Sequence, residues 1–217
     1  MMKSMGLKGR ITTTLLVSTL NLLYITHYYL RDGFVAQIEF IGLPVMIMLA
    51  WWFGKQYDVV KYYSEKDTLT KLYNRRYIDT FISKLERNGG EFAIVLLDLN
   101  DFKIINDIYG HKAGDHYLKS IASQLENTAG KKEIVARWGG DEFIIIFPYT
   151  PKKRELGKRI EEIRQRLKNV SPNGLEIGVS IGTAIYPSEG KTFDELLKAA
   201  DQNMYKDKAQ KNKIIGR

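Results

Sequence analysis

The stretch VARWGGDEFIIIF, from Val135 to Phe147, places two acidic residues between a glycine pair and an apolar run. The apolar residues on either side of the glycines predict two strands joined by a short turn. A two-residue hairpin loop needs positive φ angles, which glycine adopts without steric cost, so Gly139 and Gly140 are expected at its centre. Taken alone, Asp141 and Glu142 fit either a solvated acidic lip on a tight turn or a functional site.

The sequence on both sides of this stretch alternates between strand and helix patterns. An apolar strand ends at Asp98 and a helical period follows at 114–127. After the two strands around the glycines come a helix at 151–169, a strand at 175–186 and a helix at 193–210. The order is βαββαβ, with a further helical pattern at 67–90 before it, which predicts an α+β fold of the ferredoxin-like, palm type.

Asp98 is expected at the same sheet edge as the glycine turn. In a βαββαβ sheet the first crossover is right-handed and the third strand fills the gap that it leaves, which gives the strand order 4-1-3-2. Asp141 then lies beside Asp98, although the two are far apart in sequence. Because neighbouring carboxylates repel each other unless a cation lies between them, and oxygen ligands select Mg²⁺ or Mn²⁺, this edge is predicted to hold a divalent metal.

The segment LNDFKIINDIYGHKAGD at 99–115 is interpreted as a loop that carries polar side chains. Asparagine and aspartate side chains can read the edge of a nucleobase, and lysine is a point-charge partner for phosphate. Lys103, Asn106, His111 and Asp115 are therefore candidates for nucleotide binding. The alternative is structural: Asp115 caps the helix, Asn106 lies in a turn and His111 is an ordinary loop histidine.

Five separated motifs resemble, in order, those of the GGDEF-domain diguanylate cyclases, bacterial enzymes that join two GTP molecules into cyclic di-GMP. They are DTLTKLYNRR (67–76), DLNDFKIINDIYGHKAGD (98–115), ARWGGDEF (136–143), SIGTA (180–184) and ADQNMYKDK (200–208). The resemblance covers the chain from Asp67 to the C-terminus. It implies a diguanylate cyclase that holds one GTP per domain and works as a homodimer.

The resemblance also implies roles for particular residues. The carboxylates of Asp98 and Asp141 and the backbone carbonyl of Leu99 would bind two Mg²⁺ or Mn²⁺ ions. Asp141 would assist deprotonation of the attacking 3′-hydroxyl with support from Glu142. Lys103 would stabilise the pentavalent phosphorus. The residues implied in substrate binding are Phe102, Lys103, Asn106, His111, Asp115, Lys208 and Lys211, with Asn106 and Asp115 on guanine and the last two on phosphate.

Three features depart from the family pattern, one of which is the tail KAQKNKI at 208–214, one residue shorter than the family's usual lysine-to-glycine-arginine run. Asn100 stands where many relatives have a second aspartate, at a position outside the expected metal ligands. The sequence GKKE at 130–133 replaces the Arg-x-x-Asp inhibitory site, and Gly130 cannot supply its guanidinium. Product inhibition through that site is therefore expected to be absent.

The N-terminal part has a different character from the rest. The segment from Ile11 to Leu30 has no Asp, Glu, Lys or Arg, and as a helix it would be about 30 Å long, one hydrocarbon thickness. A second apolar stretch, from Phe34 to Phe53, ends near the pair Trp51 and Trp52, and such aromatics favour a membrane interface. These features predict a transmembrane helical hairpin.

The predicted organisation is a two-span hairpin at 1–56, a juxtamembrane linker helix at 57–66 and a catalytic domain at 67–217. Lysine and arginine on the outer flanks of the spans place both termini in the cytoplasm, with the chain in the bacterial inner membrane and the bilayer as a partner. A cleaved signal peptide is disfavoured because a second apolar stretch follows the first. A buried helical hairpin in a non-membrane protein is the other alternative.

Composition limits the chemistry. Cysteine is absent and the three histidines are scattered, which excludes disulfides, thiolate catalysis and thiolate zinc sites. The net charge of +8 suits nucleic acid, an anionic membrane or a polyphosphate, and the resemblance then implies GTP and no nucleic acid partner. An inactive GTP- or protein-binding module and a palm-fold cyclase with a mononucleotide product are the competing hypotheses. Two further partners are compatible with this organisation: a membrane protein that regulates the enzyme, and an effector that binds cyclic di-GMP.

Overall fold

The computed structural model describes residues 6–34, 37, 39–148, 153–168 and 178–215, without the side chains of Glu39, Lys153 and residues 211–215. The chain divides into two compact units, Met1–Ser64 and Glu65–Arg217. The helices are α1 (Lys8–Asp32), α2 (Glu39–Glu65), α3 (Arg75–Arg87), α4 (Phe102–Tyr109), α5 (His111–Thr128), α6 (Lys153–Lys168) and α7 (Phe193–Ile215). The strands are β1 (Tyr73–Asn74), β2 (Phe92–Leu99), β3 (Ile134–Arg137), β4 (Glu142–Phe147) and β5 (Val179–Tyr186).

In the first unit α1 and α2 pack closely at their charged ends. A Cβ on Gly54 would lie 2.5 Å from the Cα of Arg10, so glycine is needed at this crossing. The buried carboxylate of Asp58 accepts the backbone amide of Gly9 at 2.7 Å and the Nε of Arg10 at 3.1 Å. Burial alone would raise the pKa of Asp58, but these bonds outweigh it and lower that pKa. Asp58 thus caps the positive end of α1.

The prediction of two transmembrane spans, with an inner-membrane location and the bilayer as a partner, is wrong. No helix among the residues that the structure describes is long and apolar enough to cross a membrane. The uncharged part of α1 is rich in polar side chains, among them Asn21 and His27, which lower its mean hydropathy. In α2 the uncharged run from Phe40 to Gly54 ends at Lys55 and extends only about 22 Å, short of a hydrocarbon core of about 30 Å.

The domain boundaries after residues 56 and 66 stay a prediction. In the structure α2 continues to Glu65 without a break, and the two compact units divide after Ser64. The helix predicted for 57–66 is therefore the last part of α2 rather than a separate element.

The second unit is a mixed five-stranded sheet in the order β1-β3-β4-β2-β5. Without the short β1, the four predicted strands follow the order 4-1-3-2, so the predicted ferredoxin-like α+β topology is confirmed. β4 pairs antiparallel with both β2 and β3, and β1 adds a parallel pair at the edge. β2 and β3 consequently run in the same direction and end at the same edge of the sheet.

Two hydrophobic cores cover the two faces of this sheet. Alternate residues of the central strand β2 enter them: Val95 and Leu97 lie in the core beneath α5 and α6, and Ile94 and Leu96 in the core beneath α3 and α7. A strand buried on both faces reads as a continuous apolar run, as the sequence of β2 does. Asp98 is the first residue of β2 after this run that is partly exposed.

The segment at 99–115 is helical rather than a loop. α4 occupies Phe102–Tyr109 and α5 already begins at His111. Ile105 is fully buried, and this anchor holds one face of the short α4 against the core. Gly110, with φ of 80°, turns the chain between the two helices in a conformation that side chains other than glycine rarely adopt.

Candidate active site

The connection between β3 and β4 is longer than predicted. Four residues, 138–141, separate the strands, and the amides of Trp138 and Gly139 both donate to the carbonyl of Glu142, at 2.8 and 3.2 Å. Neither Gly139 nor Gly140 has a positive φ angle, so the prediction of a two-residue turn with glycines in the left-handed region was wrong.

A close contact explains the first glycine of the pair instead. A Cβ on Gly139 would lie 2.5 Å from Oε2 of Glu142. Gly140 faces open space, and its carbonyl accepts hydrogen bonds from Nε and Nη2 of Arg137, at 3.2 and 2.7 Å. Gly139 thus lets the backbone of the hairpin approach the side chain of Glu142.

The sheet brings the acidic residues of two strands to one edge. Asp98 of β2 pairs with Glu142 of β4, and the amide of Leu99 donates to the carbonyl of Asp141 at 3.3 Å. This neighbourhood follows from the strand order and from the direction of β2 and β4. Lys208 of α7 lies against the same edge, with its Nζ 2.8 Å from Oδ1 of Asp98.

The concentration of negative charge shifts the protonation of Glu142. Partial burial raises the pKa of its carboxyl group, and the neighbouring carboxylates of Asp98, Asp141 and Asp201 raise it further, whereas Arg75 acts in the opposite direction. Without an added cation, a proton is therefore bound at Glu142 more tightly than in an ordinary glutamate.

We expect Glu142→Gln to stabilise the protein in the absence of metal and nucleotide. Because the folded state binds a proton at Glu142 more tightly than the unfolded state, the contribution of Glu142 to the free energy of unfolding falls as the pH rises above the ordinary pKa of about 4.3. Near pH 7 the variant should gain about 0.5 kcal/mol, a small amount because partial exposure screens the repulsion. Urea unfolding of both proteins between pH 4 and 8 measures the difference. A variant that is less stable than the wild type at pH 7 would contradict the electrostatic explanation.

The residues at this edge fit a hard divalent cation by their chemistry. Asp98 and Asp141 offer oxygen donors only, and an ammonium group already contacts Asp98, as expected of a carboxylate that needs a positive partner. Among the described residues no group of three or more His, Cys, Asp and Glu side chains is arranged to hold a metal. Two carboxylates, a backbone carbonyl and the phosphate oxygens of a substrate would thus have to share the coordination.

A cavity of about 290 Å³ lies between α4, α5 and the hairpin. Six residues proposed from the sequence line it, together with three others: Phe102, Lys103, Asn106, His111, Asp115 and Asp141, with Leu118, Arg137 and Gly140. Asn106 can lie over α5 because Gly114 has no side chain there; a Cβ on Gly114 would overlap its Oδ1. The amide, three basic side chains and two carboxylates of this cavity therefore come from α4, α5, β3 and the hairpin connection.

Asp98, Glu142 and Lys208 line a neighbouring cavity of about 460 Å³, which also contains Asp201. The predicted site residues are consequently divided between two cavities, one lined by Asp141 and the other by Glu142. Leu99, whose backbone carbonyl is a predicted metal ligand, is 2% exposed. The side chain of Lys211 lies outside the described residues, so its predicted contact with phosphate stays a prediction.

Arg137 is a site residue that the sequence reasoning missed. It lines the smaller cavity and supports the hairpin through the carbonyl of Gly140. Its Nη1 lies 3.3 Å from Oδ1 of Asp67, which also accepts bonds from the amide and hydroxyl of Thr70. Burial opposes the effect, yet these bonds lower the pKa of Asp67 and keep it charged. The position of Arg137 inside the motif at 136–143 was the available signal.

Comparisons with known proteins agree with this geometry. The sequence profile described as "Diguanylate cyclase, GGDEF domain" matches residues 64–213. The diguanylate cyclase DgcM of Escherichia coli is 35% identical over 164 residues, which are 73% of this chain and 40% of that protein. The response regulator PleD of Caulobacter vibrioides is 34% identical over 163 residues, 70% of this chain and 36% of that protein.

Solved structures show the same likeness. The coiled coil and GGDEF domain of DgcB from Caulobacter crescentus, in complex with c-di-GMP, has 27% identity and a TM-score of 0.64 and covers 72% of this chain and 86% of that chain. The chain spans less than half the length of the curated relatives named above.

Fold and site together define an α+β domain of the ferredoxin-like class in which an acidic hairpin adjoins a polar cavity. The profile match covers most of the chain, and the motifs at 98–115 and 136–143 contain most of the residues that line this cavity. The chain belongs to the family of GGDEF-domain diguanylate cyclases.

Proposed function

We propose that the chain is a diguanylate cyclase that condenses two GTP molecules into cyclic di-GMP and two pyrophosphates. The observation that carries the proposal is the cavity that contains Asn106, Asp115, Lys103 and Asp141 together. The side-chain amide of Asn106 offers a hydrogen-bond donor and an acceptor for the edge of a guanine base. The carboxylate of Asp115 offers acceptors only. Lys103 and Asp141 line the same cavity and are the charged groups proposed to act on the phosphates.

The reaction forms a bond between a 3′-hydroxyl oxygen and the α-phosphorus of a second GTP and breaks the bond to pyrophosphate. Asp141 accepts or directs the proton that leaves the hydroxyl, with Glu142 beside it. Lys103 stabilises the charge on the phosphorus that is attacked. Lys208 contacts Asp98 in the absence of substrate and exchanges this carboxylate for phosphate oxygens when a nucleotide binds.

Asp98, Asp141 and the carbonyl of Leu99 would hold Mg²⁺ or Mn²⁺, two ions in each site. The metal supplies Lewis acidity, which lowers the pKa of the hydroxyl and neutralises charge on the phosphates. The pairing of Asp98 with Glu142, the residue after Asp141, supports this assignment.

A homodimer completes the site in this proposal. A cavity of about 290 Å³ is at the small end of single-ligand pockets, so each chain of the dimer is proposed to bind one GTP. Two such cavities must face each other before both phosphodiester bonds can form. The rate per protein molecule should consequently rise with protein concentration until the dimer is saturated.

Three candidate activities are separated by one experiment. The purified chain is incubated with GTP and Mg²⁺, and the products are separated by ion-exchange chromatography. Cyclic di-GMP supports the proposal. Nucleotide binding without any product indicates an inactive binding module, and cyclic GMP alone indicates a cyclase with a mononucleotide product. The acids Asp98, Asp141 and Glu142 are all present at one sheet edge, which favours the first outcome.

Product inhibition through the segment at 130–133 is expected to be absent. Glu133 stands where the inhibitory motif would have its aspartate, and its side chain is only 3% exposed in an ion pair with Arg159 at 3.0 Å. It also accepts the amide of Gly130 at 2.8 Å. Its carboxylate is therefore not presented for a ligand, and no guanidinium is available at position 130.

Initial rates measured with added cyclic di-GMP test this expectation, and they should stay unchanged. Lys131→Ala, which alters an exposed side chain in the same segment, serves as the matched control for Glu133→Ala. Strong inhibition that disappears in Glu133→Ala but persists in the control would show that the segment binds product after all.

A further inference from the structure

The last turns of α7 are attached to the edge of the sheet by a network around Asp207. Its Oδ2 accepts the backbone amide of Ile181 at 3.0 Å. Nη2 of Arg164, on α6, lies 3.1 and 3.3 Å from the two carboxylate oxygens, and Nη1 donates to the carbonyl of Val179 at 3.0 Å. Arg164 therefore joins α6, β5 and α7 at a single point.

This point is adjacent to the acidic edge of the site. Ser180, between the two residues of β5 that the network contacts, pairs with Asp98 on β2. Lys208 follows Asp207 on α7 and reaches Asp98 with its Nζ. Since a lysine side chain is long and flexible and this one is 44% exposed, the position of its ammonium depends on where the helix backbone is held.

The ion pair is suited to holding that backbone. The side chains of Arg164 and Asp207 are 18% and 24% exposed, so water screens their attraction less than it would at the surface. One planar guanidinium that donates to both a carboxylate and a carbonyl fixes orientation as well as distance. Neither side chain lines the two cavities described above.

We propose that Arg164 and Asp207 are positioning residues that fix the rotation and axial position of α7, so that Lys208 is held where it can pass from Asp98 to the terminal phosphates of a nucleoside triphosphate. The inference rests on the proposed function for the role of Lys208. It assigns the pair an effect on binding of the phosphates and none on binding of the base.

Isothermal titration calorimetry of the full chain with two ligands tests this. The ligands are guanosine 5′-(α,β-methylene)triphosphate with Mg²⁺, and GMP. Asp207→Asn is expected to weaken binding of the triphosphate about tenfold through displacement of Lys208 and to leave GMP binding unchanged. Arg164→Lys, which keeps the charge, should recover part of the affinity that Arg164→Gln loses. Arg166→Gln removes an arginine of α6 from an exposed pair and should have no effect.

A double-variant cycle separates positioning from general structure. In a Lys208→Met background, Asp207→Asn should cause no further loss of triphosphate affinity, because the group that it positions is gone. Additive losses in the double variant, or an equal loss for GMP and the triphosphate, overturn the inference, as does a wild-type chain that does not bind the triphosphate. Triphosphate binding without cyclic di-GMP synthesis would reject the proposed function, whereas the cycle would still decide the role of Arg164 and Asp207.

Discussion

Asp141→Ala is expected to lower the rate of cyclic di-GMP formation by about 10³-fold or more, since one carboxylate would serve both metal binding and the proton of the attacking hydroxyl. Asp141 lines the cavity proposed to bind GTP, and its backbone carbonyl accepts the amide of Leu99, next to Asp98. Removal of its side chain leaves Asn106 and Asp115 in place. Binding of GTP should therefore fall much less than the rate does.

Asp107→Ala is a matched control for this variant. Asp107 is an exposed acid of α4 and is not among the residues that line the cavity, so its loss should leave the rate near that of the wild type. Rates come from single-turnover chromatography at saturating GTP, with circular dichroism to confirm folding. Full activity of a folded Asp141→Ala variant would show that Asp141 is not part of the active site.

Asp115→Ala is expected to lower kcat/KM for GTP by about 100-fold, because a buried edge of the base loses its acceptor. A carboxylate accepts hydrogen bonds only, so Asp115 is matched to the N1 hydrogen and the 2-amino group of guanine. Asn106, across the same cavity, can donate to the guanine carbonyl. Inosine triphosphate, which lacks the 2-amino group, should be a poor substrate for the wild-type chain.

The diagnostic result for Asp115 is the loss of discrimination between GTP and inosine triphosphate. In Asp115→Ala the kcat/KM values for GTP and inosine triphosphate should become similar, since the group that distinguishes them is absent. His116→Ala changes the neighbouring exposed residue of α5 and should keep the wild-type preference. A variant at Asp115 that still prefers GTP to the same degree would mean that the base is read elsewhere, since α5 begins at His111 and Asp115 does not cap it.

The positions of the acids could be predicted because strand order depends on few rules. A βαββαβ order allows one right-handed arrangement, which places the end of β2 beside the start of β4. In the structure, however, the residue that pairs with Asp98 is Glu142, one position after the predicted Asp141. The uninterrupted apolar run of β2 is typical of a strand that is buried on both faces of a sheet.

Other features depend on contacts that sequence patterns do not contain. α4 has only eight residues, too few to show a helical period, and it is held by the buried Ile105. The glycines of the hairpin were assigned to a turn type, whereas the side chain of Glu142 excludes a Cβ at Gly139. Arg137 was overlooked because its partner Asp67 is 70 positions away in sequence.

The N-terminal prediction failed for a different reason. It treated the absence of charge between Ile11 and Leu30 as equivalent to high hydropathy, although threonine, asparagine and histidine occur throughout that segment. Several of these hydroxyls and amides bond within the helices; Thr13, for example, donates to the carbonyls of Gly9 and Ala50. Hydropathy averaged over a whole span, rather than a count of charges, decides such a case.

The most direct test of the proposed function is the stoichiometry of the products. The purified chain is given GTP and Mg²⁺, and pyrophosphate and cyclic di-GMP are measured in the same sample by coupled phosphate release and mass spectrometry. Two pyrophosphates for each cyclic di-GMP are expected, with neither formed by Asp141→Ala. Release of pyrophosphate with cyclic GMP as the product, or no release from a chain that binds GTP, would contradict the proposed function.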